Sequence, residues 1–226
     1  MKQFIPHLIT LTSLCIGFYS IIESAKINFN TASHLIIISF ILDGLDGFLA
    51  RYFNTQSNFG KQLDSFSDFV NFGLAPGFLL FFYMNEEVGL QNTSYLAVLI
   101  PIFSTIRLAN FNTKEKNTDN FSGLTTPANA LIFISIPLIN QFNNLSWINQ
   151  FLNLPEIISL LIVVNSMLLI APIKTFGLRI DNILLNKRKM TFVFISICIL
   201  YIFKYIGILI VTLLYILASI FRIIDK

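Results

Sequence analysis

The stretch DGLDGFLARYFNTQSNFGKQLDSFSD carries four aspartates, Asp43, Asp46, Asp64 and Asp68, in an otherwise greasy chain. Asp43, Asp46, Gly47 and Ala50 are spaced to share one face of a helix, and Asp64 and Asp68 share one face of a second. A short link carrying Gly60 joins the two, so a helical hairpin can aim four carboxylates into one space. Carboxylates gathered in this way repel one another unless a cation sits among them. Oxygen-only ligands suit a hard divalent ion, Mg2+ or Mn2+, and such ions often complete their shell with substrate phosphate. Four carboxylates allow one ion or two. A phosphate-bearing substrate is therefore the expected partner. Arg51 can fork onto a phosphate, Gly47 and Ala50 clear the helix face, and Gly60 permits close backbone approach. A calcium-loop reading of DGLDG fails, because the oxygen spacing of such a loop is missing.

The elements that hold these residues must cross a membrane. The 226 residues are 55% hydrophobic and only 12% charged, whereas a soluble domain has about 25% charged residues. We expect an all-α polytopic membrane protein, one domain over residues 1–226. A span needs about 20 mostly apolar residues. Apolar runs predict spans at 7–23, 33–50, 66–84, 93–110, 127–141 and 155–173. Met190 to Phe221 is too long for one span and divides at the polar break FKYIGI (Phe203–Ile208), giving about eight transmembrane helices. The first run lacks a charged lead and a small-residue cleavage site, so it reads as a span and not a signal peptide. Pro76 and Pro101 fall inside helical runs and are expected to kink them.

With the N-terminus inside, every lysine and arginine except Lys26 and Lys204 falls on one side. That side includes Lys2, Lys114, Lys116, Lys174, Arg179, Arg222 and Lys226. By the positive-inside rule both termini are cytoplasmic, in a multi-pass protein of the inner (cytoplasmic) membrane. The basic run NKRKM (Asn186–Met190) reads as an orientation signal, with no nucleic-acid partner. Tyr83, Tyr95 and Trp147 suit an aromatic belt at the outer interface. Cys15 and Cys198 sit in apolar runs as packing residues, without disulfide or metal spacing. In this layout the second helix runs inward to Arg51 and the third starts near Asp64. The carboxylates then gather at the cytoplasmic end, with Asp43 roughly 12 Å of helix rise above Arg51. Each aspartate placed there costs about 2.5–3.5 kcal/mol. With only Arg51 and Lys61 nearby to offset four aspartates, function explains the cluster better than packing does.

The same stretch resembles the signature of the CDP-alcohol phosphatidyltransferases, Asp-x2-Asp-Gly-x2-Ala-Arg-x8-Gly-x3-Asp-x3-Asp, and supplies every fixed position. The resemblance implies that family's membrane fold and an attack by an alcohol on a CDP-linked lipid, with CMP leaving. It makes Asp43, Asp46 and Asp64 metal ligands, and Asp68 a metal-proximal aspartate and general base. It makes Gly47, Ala50, Arg51 and Gly60 the residues that shape the cytidine and diphosphate pocket. Thr10, in IPHLITLTSLCIGF, is a further candidate contact to the CDP-lipid. The family carries Asn where His7 stands and again near Ser13, so His7 is either an interfacial histidine or a nucleotide contact.

Leu63–Gly77, IRLANFN (Ile106–Asn112) and FSGLTTPANA (Phe121–Ala130) resemble the branch of the family that uses L-serine as acceptor. The implied reaction takes CDP-diacylglycerol and L-serine to phosphatidylserine and CMP, in phospholipid biosynthesis. Arg107 is then a partner for the serine carboxylate or a snorkelling arginine. Ser65, Asn71 and Thr125 are candidate acceptor contacts or locally bonded residues, and Lys61 serves phosphate or solvent. A sister enzyme using glycerol 3-phosphate or an inositol phosphate would want more basic residues, and Phe66–Gly77 has none. A cation-coupled transporter predicts polar residues through to the outer face and often an inverted repeat, and neither is present. The family also implies a homodimer among membrane lipids.

Overall fold

The computed structural model describes residues 4–113, 123–143, 145–176 and 186–222. Lys2, Lys114, Lys116, Arg179, Lys226 and the first two residues of FSGLTTPANA lie outside them. The described residues are helical almost throughout. In order they form α1 (Phe4–Ala25), α2 (Phe29–Tyr52), α3 (Asn58–Asp68), a π-helical turn (Phe69–Leu74) and α4 (Ala75–Glu86). A 3-10 turn (Thr93–Val98) follows, then α5 (Leu99–Thr113), α6 (Thr126–Phe142), α7 (Ser146–Leu152), α8 (Pro155–Ile170) and α9 (Lys187–Ile220).

Five helical runs are long and apolar enough to cross a membrane, or six if α7 and α8, bent by 60°, form one broken span. The chain is thus a multi-pass membrane protein, but the expected eight spans are not all recovered. The difference lies in α6, of 17 residues, and in α9, one run of 34. Lys204 breaks α9 at φ 49°, within the expected Phe203–Ile208 stretch. There the backbone turns back on itself, since a Cβ on Gly207 would fall 2.9 Å from the Ile199 carbonyl oxygen. In a straight helix those residues would stand about 12 Å apart.

The first helix turns a small, polar face to the bundle and an apolar face outward. α1 sends Thr10, Ser13, Gly17, Ser20 and Ser24 inward. It leaves Phe4, Leu8, Leu11 and Phe18 outward. Small inward residues let helices approach closely where lipid offers no hydrophobic penalty for the outer face. Ser20 Oγ donates to the Ala32 carbonyl of α2 (2.9 Å). α6 is the central post. Its Ala128, Ile132 and Ile136 pack with Leu80, Met84, Ile100 and Ile158, while Ala130 and Ile134 pack with Ala32, Ile36, Phe72 and Leu79.

Two expectations are corrected. The third helix begins at Asn58, ahead of Asp64, because the Ser57 hydroxyl caps it by accepting from Gly60 N–H (3.0 Å). Gly60 therefore lies in the first helical turn and not in the link. Tyr83 is no belt residue. It is 1% exposed and donates to Asn153 Oδ1 (2.7 Å), whereas Tyr95 and Trp147 do face outward. Pro76 lies in the first turn of α4 directly after the π turn, in which Ala75 N–H reaches back five residues to Val70 C=O. Pro101 falls in the first turn of α5, where the 3-10 turn gives way to α-helix.

Candidate active site

α2 brings Asp43, and α3 brings Asp64 and Asp68, to one place. One carboxylate oxygen from each lies within 4.8 Å of the other two, and all three residues are half-buried. Asp46, nearly one turn beyond Asp43, is buried beside the Thr10 hydroxyl of α1, with Asp64 and Arg51 in electrostatic reach. Asp46 Oδ2 and Asp68 Oδ1 are buried without a hydrogen-bond partner in the protein. Carboxylate oxygens around an octahedral ion with bonds of about 2.1 Å stand roughly 3–4.2 Å apart. The three-aspartate set needs only small movements to reach that geometry, and its donors are the hard oxygens that Mg2+ or Mn2+ takes.

The glycines of the motif have defined neighbours. A Cβ on Gly47 would lie 3.5 Å from Arg51 Nη1, so the guanidinium folds back along α2 over Gly47. Ala50, on the same turn as Arg51, adds only a methyl to that face. A Cβ on Gly60 would lie 2.8 Å from the His7 ring, which also meets the Phe59 ring edge-on at 5.5 Å. Gly60 thus lets α1 close against the start of α3.

The expected acceptor contacts separate. Arg107 reaches the Thr126 hydroxyl of α6 (Nη1 to Oγ1, 3.5 Å) and lies in electrostatic reach of Asp68. Ser65 donates to the Lys61 carbonyl (3.0 Å) and accepts from Asn112 Nδ2 (2.9 Å), so its hydroxyl is held within the protein. Asn71 is fully buried behind the aspartates, donating to Ser13 and Ser67. Thr125 is the N-cap of α6 without a side-chain cap bond. Lys61 lies 5.1 Å over the Phe111 ring.

Sequence reasoning missed Asn129. It is fully buried one turn past Thr126, and neither its amide nitrogen nor its oxygen finds a partner. Ser104, one turn from Arg107 on α5, is likewise buried with an unpartnered hydroxyl. The available signal was an asparagine inside an otherwise apolar helix start.

A family model described as CDP-alcohol phosphatidyltransferase matches residues 3–224. A CDP-diacylglycerol–serine O-phosphatidyltransferase of Helicobacter pylori is 38% identical over 138 residues, 60% of this chain and 58% of the relative. One of the same name from Methanocaldococcus jannaschii is 43% identical over 109 residues, 48% of this chain and 51% of the relative. An archaetidylserine synthase of Methanothermobacter thermautotrophicus is 32% identical over 150 residues, 63% of this chain and 61% of the relative. The chain thus spans roughly half to three fifths of the length of these relatives.

Proposed function

The chain belongs to the CDP-alcohol phosphatidyltransferase family, and from that premise we propose that it transfers the phosphatidyl group of CDP-diacylglycerol to L-serine. The observation that carries this reading is the convergence of Asp43, Asp64 and Asp68 within 4.8 Å, with Arg107 facing Asp68 from the neighbouring α5. The names of the relatives support serine as acceptor.

Asp43, Asp64 and Asp68 would hold one or two divalent ions, Mg2+ or Mn2+, with Asp46 beside them. When bound, the metal supplies positive charge against the diphosphate and the departing CMP. Arg51, lying over Gly47, steadies a phosphate oxygen, and the small residues Gly47 and Ala50 leave room for the nucleotide. His7 packs against Gly60, and the Thr10 hydroxyl, which donates to the Pro6 carbonyl, lies beside the Asp46 carboxylate. Arg107 pairs with the serine carboxylate. The serine hydroxyl oxygen attacks the phosphorus that bears diacylglycerol, forming a new P–O bond. The bond from that phosphorus to the CMP oxygen breaks, and the hydroxyl proton passes to the Asp68 carboxylate. Phosphatidylserine and CMP are the products. The site opens to the cytoplasm of the inner membrane, with both termini on that side, and the protein works as a homodimer.

The acceptor is tested by supplying the purified protein with CDP-diacylglycerol, Mn2+ and either radiolabelled serine or radiolabelled glycerol 3-phosphate. Label in phosphatidylserine alone is expected. Label only from glycerol 3-phosphate would keep the reaction class and overturn the acceptor.

A further inference from the structure

The two aspartate-bearing helices are joined through a third that carries no aspartate. α2 and α3 each pack on α1, and α3 is not among the principal packing partners of α2. α2 also meets the π turn and α4 that continue α3, so α1 is one of the contacts that fix how far Asp43 stands from Asp64 and Asp68. The bonds that do so are concentrated at Ser13. Its hydroxyl donates to the Ser39 carbonyl of α2 (3.0 Å) and accepts from Asn71 Nδ2 of the π turn (2.8 Å). Ser39 Oγ returns a bond to the Ser13 carbonyl (3.2 Å). Asn71 also donates to Ser67 (3.1 Å), and Ser67 Oγ donates to the Thr10 carbonyl of α1 (3.3 Å). All of these side chains are buried, and Ser13, Ser39, Ser67 and Asn71 are 0% exposed.

The network lies one turn behind the carboxylates. Ser39 precedes Asp43 by four residues, Ser67 adjoins Asp68, and Asn71 follows Asp68 by three. The π turn has a reason to exist here. An extra residue in the ladder rotates everything before it relative to α4, and Asn71 within it is turned onto α1. Gly17 leaves the space that Asn71 fills, since a Cβ there would collide with Asn71 Oδ1.

We propose that Ser13 and Asn71 are positioning residues, a clasp on α1 that sets the spacing of Asp43 against Asp64 and Asp68 and so the affinity of the site for its divalent ion. The proposal rests on the metal reading above and is independent of which alcohol accepts the phosphatidyl group. Outer-shell partners of metal ligands act in this way, and their loss commonly costs 10–100-fold in metal affinity.

The test is Mn2+ binding to the full-length protein in nanodiscs, read by loss of the free Mn2+ electron paramagnetic resonance signal, without substrates. Ser13→Ala and Asn71→Ala are compared with Ser20→Ala, which removes an equally buried α1–α2 bond two turns away. Thermal unfolding in chelator is measured alongside. We expect Ser13→Ala to weaken Mn2+ binding at least about 10-fold, with Asn71→Ala the same or worse. Ser20→Ala should lose comparable thermal stability and keep wild-type Mn2+ affinity. Wild-type affinity in Ser13→Ala, or an equal loss in Ser20→Ala, overturns the clasp and leaves the metal reading standing. Absence of Mn2+ binding by the wild type overturns both.

Discussion

Replacing Asp68 by asparagine should stabilise the metal-free protein while removing its function. Its carboxylate shares a 4.8 Å neighbourhood with those of Asp43 and Asp64. Two unit charges at that distance repel by about 3.5 kcal/mol at an effective dielectric of 20. Spread of each charge over two oxygens, and proton uptake by the crowded carboxylates, reduce the net gain to about 1–2 kcal/mol. An asparagine also has an amide donor to offer the remaining carboxylates. A gain of that size raises the unfolding temperature of a chain this long by roughly 2–8 °C. The assay is thermal unfolding of wild type and Asp68→Asn in nanodiscs, once in chelator and once in millimolar Mn2+. In chelator the variant should melt higher. In Mn2+ the wild type should gain stability by mass action and overtake a variant that gains little. A variant that melts lower in chelator would refute the argument that the cluster is a strained site held for metal binding.

Gly17→Ala should disturb the same region by crowding, because the new methyl meets both Asn71 Oδ1 and, at 3.2 Å, the Asn71 backbone. Relief requires breaking the Asn71 bonds, so we expect a loss of about 1–3 kcal/mol, seen as a lower unfolding temperature. Arg107→Ala should raise the KM for serine at least about 10-fold, the value of one charge-assisted bond of roughly 1.5–3 kcal/mol. The KM for CDP-diacylglycerol should move little in steady-state assays, and the reverse pattern would move Arg107 to the lipid headgroup. Ser57→Ala should cost about 1 kcal/mol by uncapping α3, and Ser57→Asp should restore it in the same melting assay.

Much of this site was legible because metal chemistry constrains residue type and spacing. The aspartates declare themselves by their cost in an apolar layer, and helical spacing alone puts Asp43 with Asp46 and Asp64 with Asp68. The start of α3 was hidden because Asn58–Asp68 is too polar to register as a span, and its cap depends on one serine. The π turn was invisible, since Asn71 within it meets Ser13 across 58 positions of chain. Asn71 and Ser65 read as polar residues near a polar substrate, but inside a membrane bundle a polar side chain equally well bonds the next helix. Only the packing separates those uses. Tyr83 was misread for a similar reason, because a tyrosine near a helix end serves an interface or a buried partner such as Asn153.

The central claim is that the aspartate cluster carries metal-dependent phosphatidyl transfer to serine. The most direct measurement is CMP release from CDP-diacylglycerol by the purified protein, with and without serine, in Mn2+ and in chelator, beside Asp43→Asn and Asp64→Asn. CMP should be released in step with phosphatidylserine only when serine and Mn2+ are both present, with none from either variant. Serine-dependent CMP release that persists in chelator, or in both variants, would contradict it.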